Sequence, residues 1–109
     1  MNLPNRERAF VDPSKLRDYV LNTEHERGGS KAEVLERFGF TPNNYEELES
    51  EIRGHLDSEV DRTRSTDYGD RYEIRMNLST PVGRSLWIRT IWQIDTGTDY
   101  PRLITLFPD

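Results

Sequence analysis

The hydrophobic pattern of this chain changes its period once, from helical spacing up to about residue 60 to alternation after Tyr68. Apolar residues three or four positions apart form one face of a helix, whereas alternation distributes side chains between the two faces of a strand. We therefore predict helices in the first half and an antiparallel sheet in the second. A chain of 109 residues is too short to bury two cores, so residues 1–109 are expected to form one domain.

Capping residues and apolar spacing predict three helices. Asp12 and Pro13 are typical of a helix start, because Asp accepts hydrogen bonds from the first amides and Pro has no amide to lose. Ser30 is expected to cap the second helix and Gly39 to end it. The predicted helices cover about residues 12–21 and 30–38, and a third runs from Thr41-Pro42 or Asn44 to about Val60.

The second half predicts three strands, which run from Tyr68 to Leu78, from Ser85 to Ile94 and from Pro101 to Phe107. The polar stretch from Asp57 to Asp70 is predicted to be a connector, and Phe10-Val11 can add a short fourth strand. The predicted fold class is therefore α+β, with three N-terminal helices (about 12–60) packed on one face of a three- or four-stranded antiparallel β-meander (about 70–108).

The opposite face of such a sheet is free and can form a groove. Its candidate residues are Arg71, Arg75, Arg89, Thr105 and either Trp87 or Trp92. Strand register decides which Trp faces the groove, because a shift of one residue moves every side chain to the other face.

Charge limits the ways in which this chain can bind nucleic acid. Its net charge is −5, and 13 of its 15 cationic residues are Arg, whose planar fork suits phosphate. A GC-rich genome explains the same bias. A general nucleic-acid coat protein is basic overall, so we expect any RNA contact to be local.

Several classes of chemistry lack their motifs. Without cysteine there is no disulfide, thiolate metal site or cysteine nucleophile, and His25 and His55 do not have the spacing of a metal-binding pair. No glycine-rich phosphate loop follows a strand, so we expect no metal and no cofactor. No apolar run is long enough to cross a bilayer and the first residues do not form a signal segment, so a cytoplasmic protein without membrane contact is predicted.

His25 and Lys31 bracket a predicted loop that contains Gly28 and Gly29. In RNA cleavage without a metal, a base removes the 2′-hydroxyl proton and an acid protonates the leaving 5′-oxygen, and imidazole suits either role. Lys31 lies in the first turn of a helix, where a cation is unfavourable unless it holds an anion. The simpler interpretations are a surface or capping His and a solvated Lys.

The sheet supplies further candidates. Arg71, Arg75 and Arg89 can neutralise a phosphate in the transition state, and Thr105 can donate a hydroxyl. The remaining candidates are aromatic, with Trp87 and Trp92 as base-stacking residues and Tyr68 as a phenol near the substrate. The alternatives are ion pairs for the Arg residues, a place in the core for each Trp and an ordinary strand position for Thr105.

The sequence also resembles a small bacterial family known as a domain of unknown function. The resemblance rests on His25-x-x-Gly28-x-x-Lys31-Ala32 and on these further segments: Asn2 to Asn5, Lys15 to Asn22, Phe38-Gly39-Phe40, Tyr68-Gly69-x-Arg71-Tyr72, Gly83, Trp92 and Pro101 to Thr105. The His-x-x-Gly-x-x-Lys-Ala segment before such a sheet is similar to toxin domains of the barnase, EndoU, colicin and RelE-like ribonuclease superfamily. This fold-level similarity implies helices followed by a four-stranded antiparallel sheet.

Three hypotheses for function follow. The first is a metal-independent ribonuclease-like toxin domain that cleaves RNA by 2′-hydroxyl attack, with a cognate antitoxin or neighbouring small protein as partner. The second is a non-catalytic protein-binding module of a small bacterial gene pair, which uses the acidic third helix and a free sheet edge at Arg102 to Phe107. The third is a structural protein that dimerises through Trp87 and Ile91.

Overall fold

The computed structural model describes residues 1–26 and 29–109, and within them three helices are followed by four antiparallel strands. The helices are α1 (Pro13–Lys15, continued by a π-helical turn over Leu16–Val20), α2 (Gly29–Arg37) and α3 (Tyr45–Gly54). The strands are β1 (Arg62–Thr66), β2 (Gly69–Ser79), β3 (Ser85–Asp95) and β4 (Arg102–Pro108). The α+β class and the antiparallel sheet are thus confirmed, although α3 lies in the middle of the chain.

The helices begin and end where capping chemistry allows. Asp12 accepts a hydrogen bond from the Ser14 amide (3.0 Å), as its predicted capping role requires. Gly39 ends α2 with a positive φ of 94°, also as predicted. The cap predicted at Ser30 is wrong, because α2 begins at Gly29 and Ser30 lies inside its first turn. None of the described helices combines the length and the apolar character needed to cross a membrane.

The sheet has the order β1-β2-β3-β4, with β3 in the interior as a long strand between two partners. Residues 62–66, which we predicted as part of a connector, form β1 and pair with β2 from Arg62↔Glu73 to Thr66↔Gly69. The five residues of β1 are polar and largely exposed, so no apolar alternation marks them as a strand. Phe10 makes a single parallel bridge to Arg102 and does not extend into a strand.

The helices cover one face of the sheet, which we call the inner face. Its buried side chains alternate along β2 and β3, and they pack against apolar residues of the helices. The buried inner-face residues are Ile74, Met76, Leu78, Ile88, Thr90 and Trp92, and the helices contribute Leu16, Val20, Leu35, Leu48 and Ile52. None of the helices α1, α2 and α3 of the described residues covers the other face, which we call the outer face.

Thr90 is a buried polar residue at the centre of this core. Its hydroxyl donates a hydrogen bond to the Ile74 carbonyl oxygen (3.0 Å) and accepts one from Trp92 Nε1 (2.9 Å). A buried indole N–H needs an acceptor, because an unpaired polar group in the interior is costly. Thr90 therefore allows the largest core side chain to be fully buried.

Replacing Thr90 by Val keeps the shape of the side chain and removes the acceptor of Trp92 Nε1. We expect Thr90→Val to lower the free energy of unfolding by about 1–3 kcal/mol, the cost of an unsatisfied buried donor. Urea denaturation measures this difference. Thr96→Val, at an exposed turn position, is the matched control and should change stability by less than about 0.5 kcal/mol. Equal losses in the two variants would contradict the role of Thr90.

Candidate functional site

Strand register decides which predicted residues share the outer face. Arg71 lies opposite Gln93 and Arg75 lies opposite Arg89, so the three candidate Arg residues occupy this face as predicted. The irregularity between β3 and β4 falls at Ile91/Trp92 and leaves the alternation of β3 intact. Because β3 continues without a shift, its two Trp residues point to opposite faces.

Trp87 lies on the outer face and is 46% exposed, whereas Trp92 is 0% exposed in the core. The prediction of Trp92 as a stacking residue is therefore wrong, because its ring cannot reach a ligand while the core is folded. Trp87 is stacked by the Arg75 guanidinium, which lies 4.6 Å from the ring centroid. The pair combines an accessible aromatic surface with a cation.

Arg89 is the centre of an ion-pair network on the outer face. Its guanidinium contacts Asp61 (2.7 Å), Glu73 (3.1 Å) and Asp109 (3.2 Å), and its side chain is only 12% exposed. Asp109 also binds Arg75 at 2.8 Å. The network connects the residue before β1 with β2, β3 and the residue after β4. Arg89 therefore forms structural ion pairs, the alternative to the phosphate contact that the sequence analysis also considered.

The network also affects protonation. The hydrogen bond from Arg89 holds the pKa of Asp61 below its ordinary value of 3.8. The same bond raises the pKa of Arg89 above its ordinary value. At the end of the sheet, the hydrogen bond from Arg102 likewise lowers the pKa of Asp95, with a second contribution from Gln93.

His25 lies beyond α1 and packs against a side chain of that helix. Its ring is edge-on to the Tyr19 ring, with the centroids 4.6 Å apart. The Lys15 ammonium lies 5.9 Å from the centroid of the same Tyr19 ring and donates a hydrogen bond to the Ile104 carbonyl oxygen (3.0 Å). Tyr19 and Lys15 therefore link the imidazole to β4.

Lys31 reaches the same strand from α2. Its ammonium lies 4.8 Å from the centroid of the Phe107 ring. Phe107 lies opposite Arg89 in the sheet, and Thr105 lies opposite Ile91, so both belong to the outer face. We name Lys15, Tyr19, His25, Lys31, Thr105 and Phe107 the β4-edge cluster.

The backbone joins His25 to the start of α2. The Gly29 amide donates a hydrogen bond to the His25 carbonyl oxygen (2.8 Å). A Cβ at Gly29 would clash with the Thr23 carbonyl oxygen, so this position accepts only glycine at the observed spacing. Gly28, the other glycine of the predicted loop, lies outside the described residues.

The structure thus brings Lys31 and Thr105 to one edge of the outer face. The sequence analysis did not identify Lys15, Tyr19 and Phe107, which contact the candidate residues or β4 there. Lys15 and Tyr19 are four residues apart on one face of α1, and this spacing is the sequence signal that could have identified them as a pair.

Arg71 lies apart from the β4-edge cluster. It lies two positions along the strand from Glu73, where its Nε donates to Gln93 Oε1 (2.8 Å). Tyr68 is also separate, 76% exposed at the turn between β1 and β2.

The sheet edge predicted to be free at Arg102 to Phe107 is partly covered. The Leu103 amide donates to the Phe10 carbonyl oxygen (3.0 Å), and Lys15 occupies the Ile104 carbonyl. β4 and β1 are the two edge strands of the sheet, and these contacts cover part of the β4 edge.

The Arg89 network predicts a loss of stability in acid. Because Asp61 has a lower pKa in the folded chain, the unfolded chain binds more protons as the pH falls below about 4. The network's contribution is complete above the ordinary pKa of 3.8 and is lost as the pH falls through the folded value. We expect Arg89→Gln to lower the melting temperature at pH 7 and to reduce its dependence on pH between about 5 and 2.

Thermal denaturation across this pH range measures both effects. Arg6→Gln removes an exposed Arg outside the network and is the matched control, which should keep the wild-type slope. Parallel curves for wild type and Arg89→Gln would show that the network does not contribute to stability in this way.

The comparisons with known proteins agree with this fold. One similar solved structure is a contact-dependent growth inhibition toxin–immunity protein complex from Klebsiella pneumoniae 342. The similarity has a TM-score of 0.76 and 15% sequence identity, and it covers 95% of this chain and 96% of that chain. At this identity the likeness concerns the fold alone.

Sequence comparison gives the family. No curated protein matches this chain. The model of a domain of unknown function, DUF6883, matches residues 2–109. This confirms the resemblance to a family of that kind, which rested on segments distributed from Asn2 to Thr105. Because the match extends over almost all of the sequence, the chain belongs to the DUF6883 family.

Proposed function

We propose that this chain is a metal-independent ribonuclease-like domain, the toxin of a bacterial toxin–immunity pair, and that its reaction centre is the β4-edge cluster. The contact between Lys31 and Phe107 carries this proposal, because it places an ammonium from the first turn of α2 beside the outer face. Ile104 to Phe107 span only about 10 Å. Lys15 and Lys31 contact the two ends of this segment, and Thr105 lies within it.

The proposed reaction is attack of a ribose 2′-hydroxyl on the adjacent phosphate. His25 removes the proton of the 2′-hydroxyl as the P–O2′ bond forms, or protonates the 5′-oxygen as the P–O5′ bond breaks, and water makes the other proton transfer. Tyr19 orients the His25 ring. Lys31 stabilises the negative charge that develops on the phosphate, and Thr105 donates a hydroxyl to the same group. Trp87 with Arg75 provides a stacking surface for a base elsewhere on the outer face.

The fold gives secondary support to this proposal. The similar solved structure from Klebsiella pneumoniae 342 is that of a toxin–immunity protein complex, and the likeness extends over nearly the full length of both chains. The partner proposed for this chain is accordingly a cognate immunity protein or antitoxin.

Replacing His25 tests the reaction centre. The wild-type protein is incubated with total RNA and with tRNA in EDTA, and cleavage is followed on denaturing gels. We expect His25→Ala to reduce the cleavage rate about 10²–10⁴-fold, because it removes a general acid or base. His55→Ala is the matched control, since His55 lies beyond α3 near Glu51 (3.7 Å).

Two outcomes would contradict the proposed function. One is an absence of RNA cleavage by the wild-type protein in EDTA. The other is an equal rate for wild type and His25→Ala, which would place the reaction centre elsewhere.

The acidic side of α3 favours a second candidate function, a non-catalytic protein-binding module. Glu46 and Glu47 are exposed in the first turn, and neither forms an ion pair within residues 1–26 and 29–109. A hollow of about 300 Å³ lies between α3 and the β2–β3 turn, and Glu47, Glu51 and Thr80 contribute to its lining. Such a surface suits a basic segment of another protein.

Charge reversal separates the two functions. If α3 binds a basic partner, we expect Glu46→Lys/Glu47→Lys to abolish complex formation with the product of the neighbouring gene, whereas His25→Ala retains it. Co-purification of the two proteins measures this. RNA cleavage that persists in the charge-reversal variant shows that catalysis does not depend on Glu46 and Glu47, and a complex that survives the reversal excludes α3 as the interface.

A further inference from the structure

Two pairs of Arg residues face each other directly across the strands of the outer face. Arg75 lies opposite Arg89 in β2 and β3, and Arg64 lies opposite Arg71 in β1 and β2. Like charges in this position repel each other and destabilise the sheet. Each pair therefore needs an anion.

The first pair has its anion within the chain. The Oδ2 atom of Asp109 accepts hydrogen bonds from the Nε atoms of both Arg75 (2.8 Å) and Arg89 (3.2 Å). Asp61 and Glu73 add two more carboxylates to Arg89. This arrangement shows how one anion between two cross-strand guanidinium groups offsets their repulsion.

The second pair does not have such an anion. Within the described part of the chain, no carboxylate forms an ion pair with Arg64 or Arg71. Arg71 is held instead by a neutral group, since its Nε donates to the side-chain oxygen of the buried Gln93. The pair therefore keeps its full charge of +2.

The position of Arg71 is fixed by a chain of hydrogen bonds. Gln93 Nε2 donates to Asp95 (2.6 Å), and this bond orients the amide so that its oxygen faces Arg71. Asp95 is in turn neutralised by two hydrogen bonds from Arg102 (2.6 and 3.1 Å). These contacts satisfy the Nε of Arg71 and leave the two terminal nitrogens of its guanidinium for a ligand.

We infer that Arg64 and Arg71 form a binding site for a phosphate group of a nucleic-acid strand. Guanidinium groups bind phosphate with two parallel hydrogen bonds, and two of them can bridge one phosphate as Asp109 bridges Arg75 and Arg89. Arg62, which lies opposite Glu73 on the same face, adds a further cation beside the pair.

The neighbouring turn favours nucleic acid over a carboxylate-bearing protein. Tyr68 is strongly exposed there, three residues before Arg71. The turn is held by hydrogen bonds from the Tyr68 amide to Thr66 Oγ1 (3.2 Å) and from the Thr96 amide to the Tyr68 carbonyl oxygen (2.9 Å). An exposed aromatic ring on a turn with a fixed backbone, close in sequence to a phosphate site, is suited to stacking an unpaired base.

This inference rests on the proposed function for the identity of the strand, which would be the RNA substrate. Its test uses single-stranded DNA, which lacks the 2′-hydroxyl and cannot undergo the proposed cleavage. Binding and catalysis can therefore fail independently.

The experiment measures binding of a fluorescein-labelled 12-nucleotide single-stranded DNA by anisotropy at several salt concentrations. We expect Arg64→Gln/Arg71→Gln to weaken binding about tenfold. We also expect the slope of log affinity against log salt to fall by about 0.7, because one phosphate contact is lost. Arg6→Gln is the matched control and should keep the wild-type affinity and slope.

A stability measurement excludes a merely structural effect. Arg64→Gln removes repulsion and should not lower the melting temperature, although it weakens DNA binding. Wild-type affinity and slope in the double variant would overturn the inference. An acidic peptide of the same charge that binds more tightly than the DNA, and depends on the same two Arg residues, would also overturn it in favour of a protein partner.

Discussion

The rest of the structure depends on the burial of the inner sheet face beneath three helices. Trp92 lies at the centre of this contact, and Thr90 satisfies its indole nitrogen so that the ring can be fully buried. The apolar content of the chain is low, 33% of its residues, so the core has few large side chains to spare. Because the large apolar side chains are buried at the inner face, the outer face consists mainly of charged and partly exposed residues.

The outer face divides into regions with different electrostatic states. Around Arg89, three carboxylates neutralise the cations and tie the edges of the sheet together. Around Arg71, a buried amide holds the guanidinium and leaves its charge intact. Along β4, the contacts of Lys15 and Lys31 bring cations from two helices to a short segment of strand. On this one face, the charge of Arg89 thus forms stabilising ion pairs, whereas the charge of Arg71 is available to bind the proposed ligand.

The fold was predictable where the pattern is strong and local. Alternation in β2 placed Arg71 and Arg75 on the face opposite the core, as observed, and Asp12 and Gly39 marked a helix start and a helix end. β1 was missed because an exposed strand of polar residues has no alternation, and its pairing with β2 supplies the only evidence for it. The residue types of the site could be predicted from the sequence, but the partners of each residue could not. Arg71 and Arg89 both lie in predicted strands, yet Arg89 pairs with carboxylates and Arg71 with the Gln93 amide.

The sequence by itself determined that helices precede an antiparallel sheet and that Arg71 and Arg75 lie on one face of β2. Both follow from periodicity, because the spacing of side chains along a helix or strand is a local property of the backbone. Only the tertiary structure decided that Trp92 is buried, that Arg89 is neutralised and that Lys31 lies over Phe107. These outcomes depend on contacts between residues distant in the chain, and such contacts are set by register and packing.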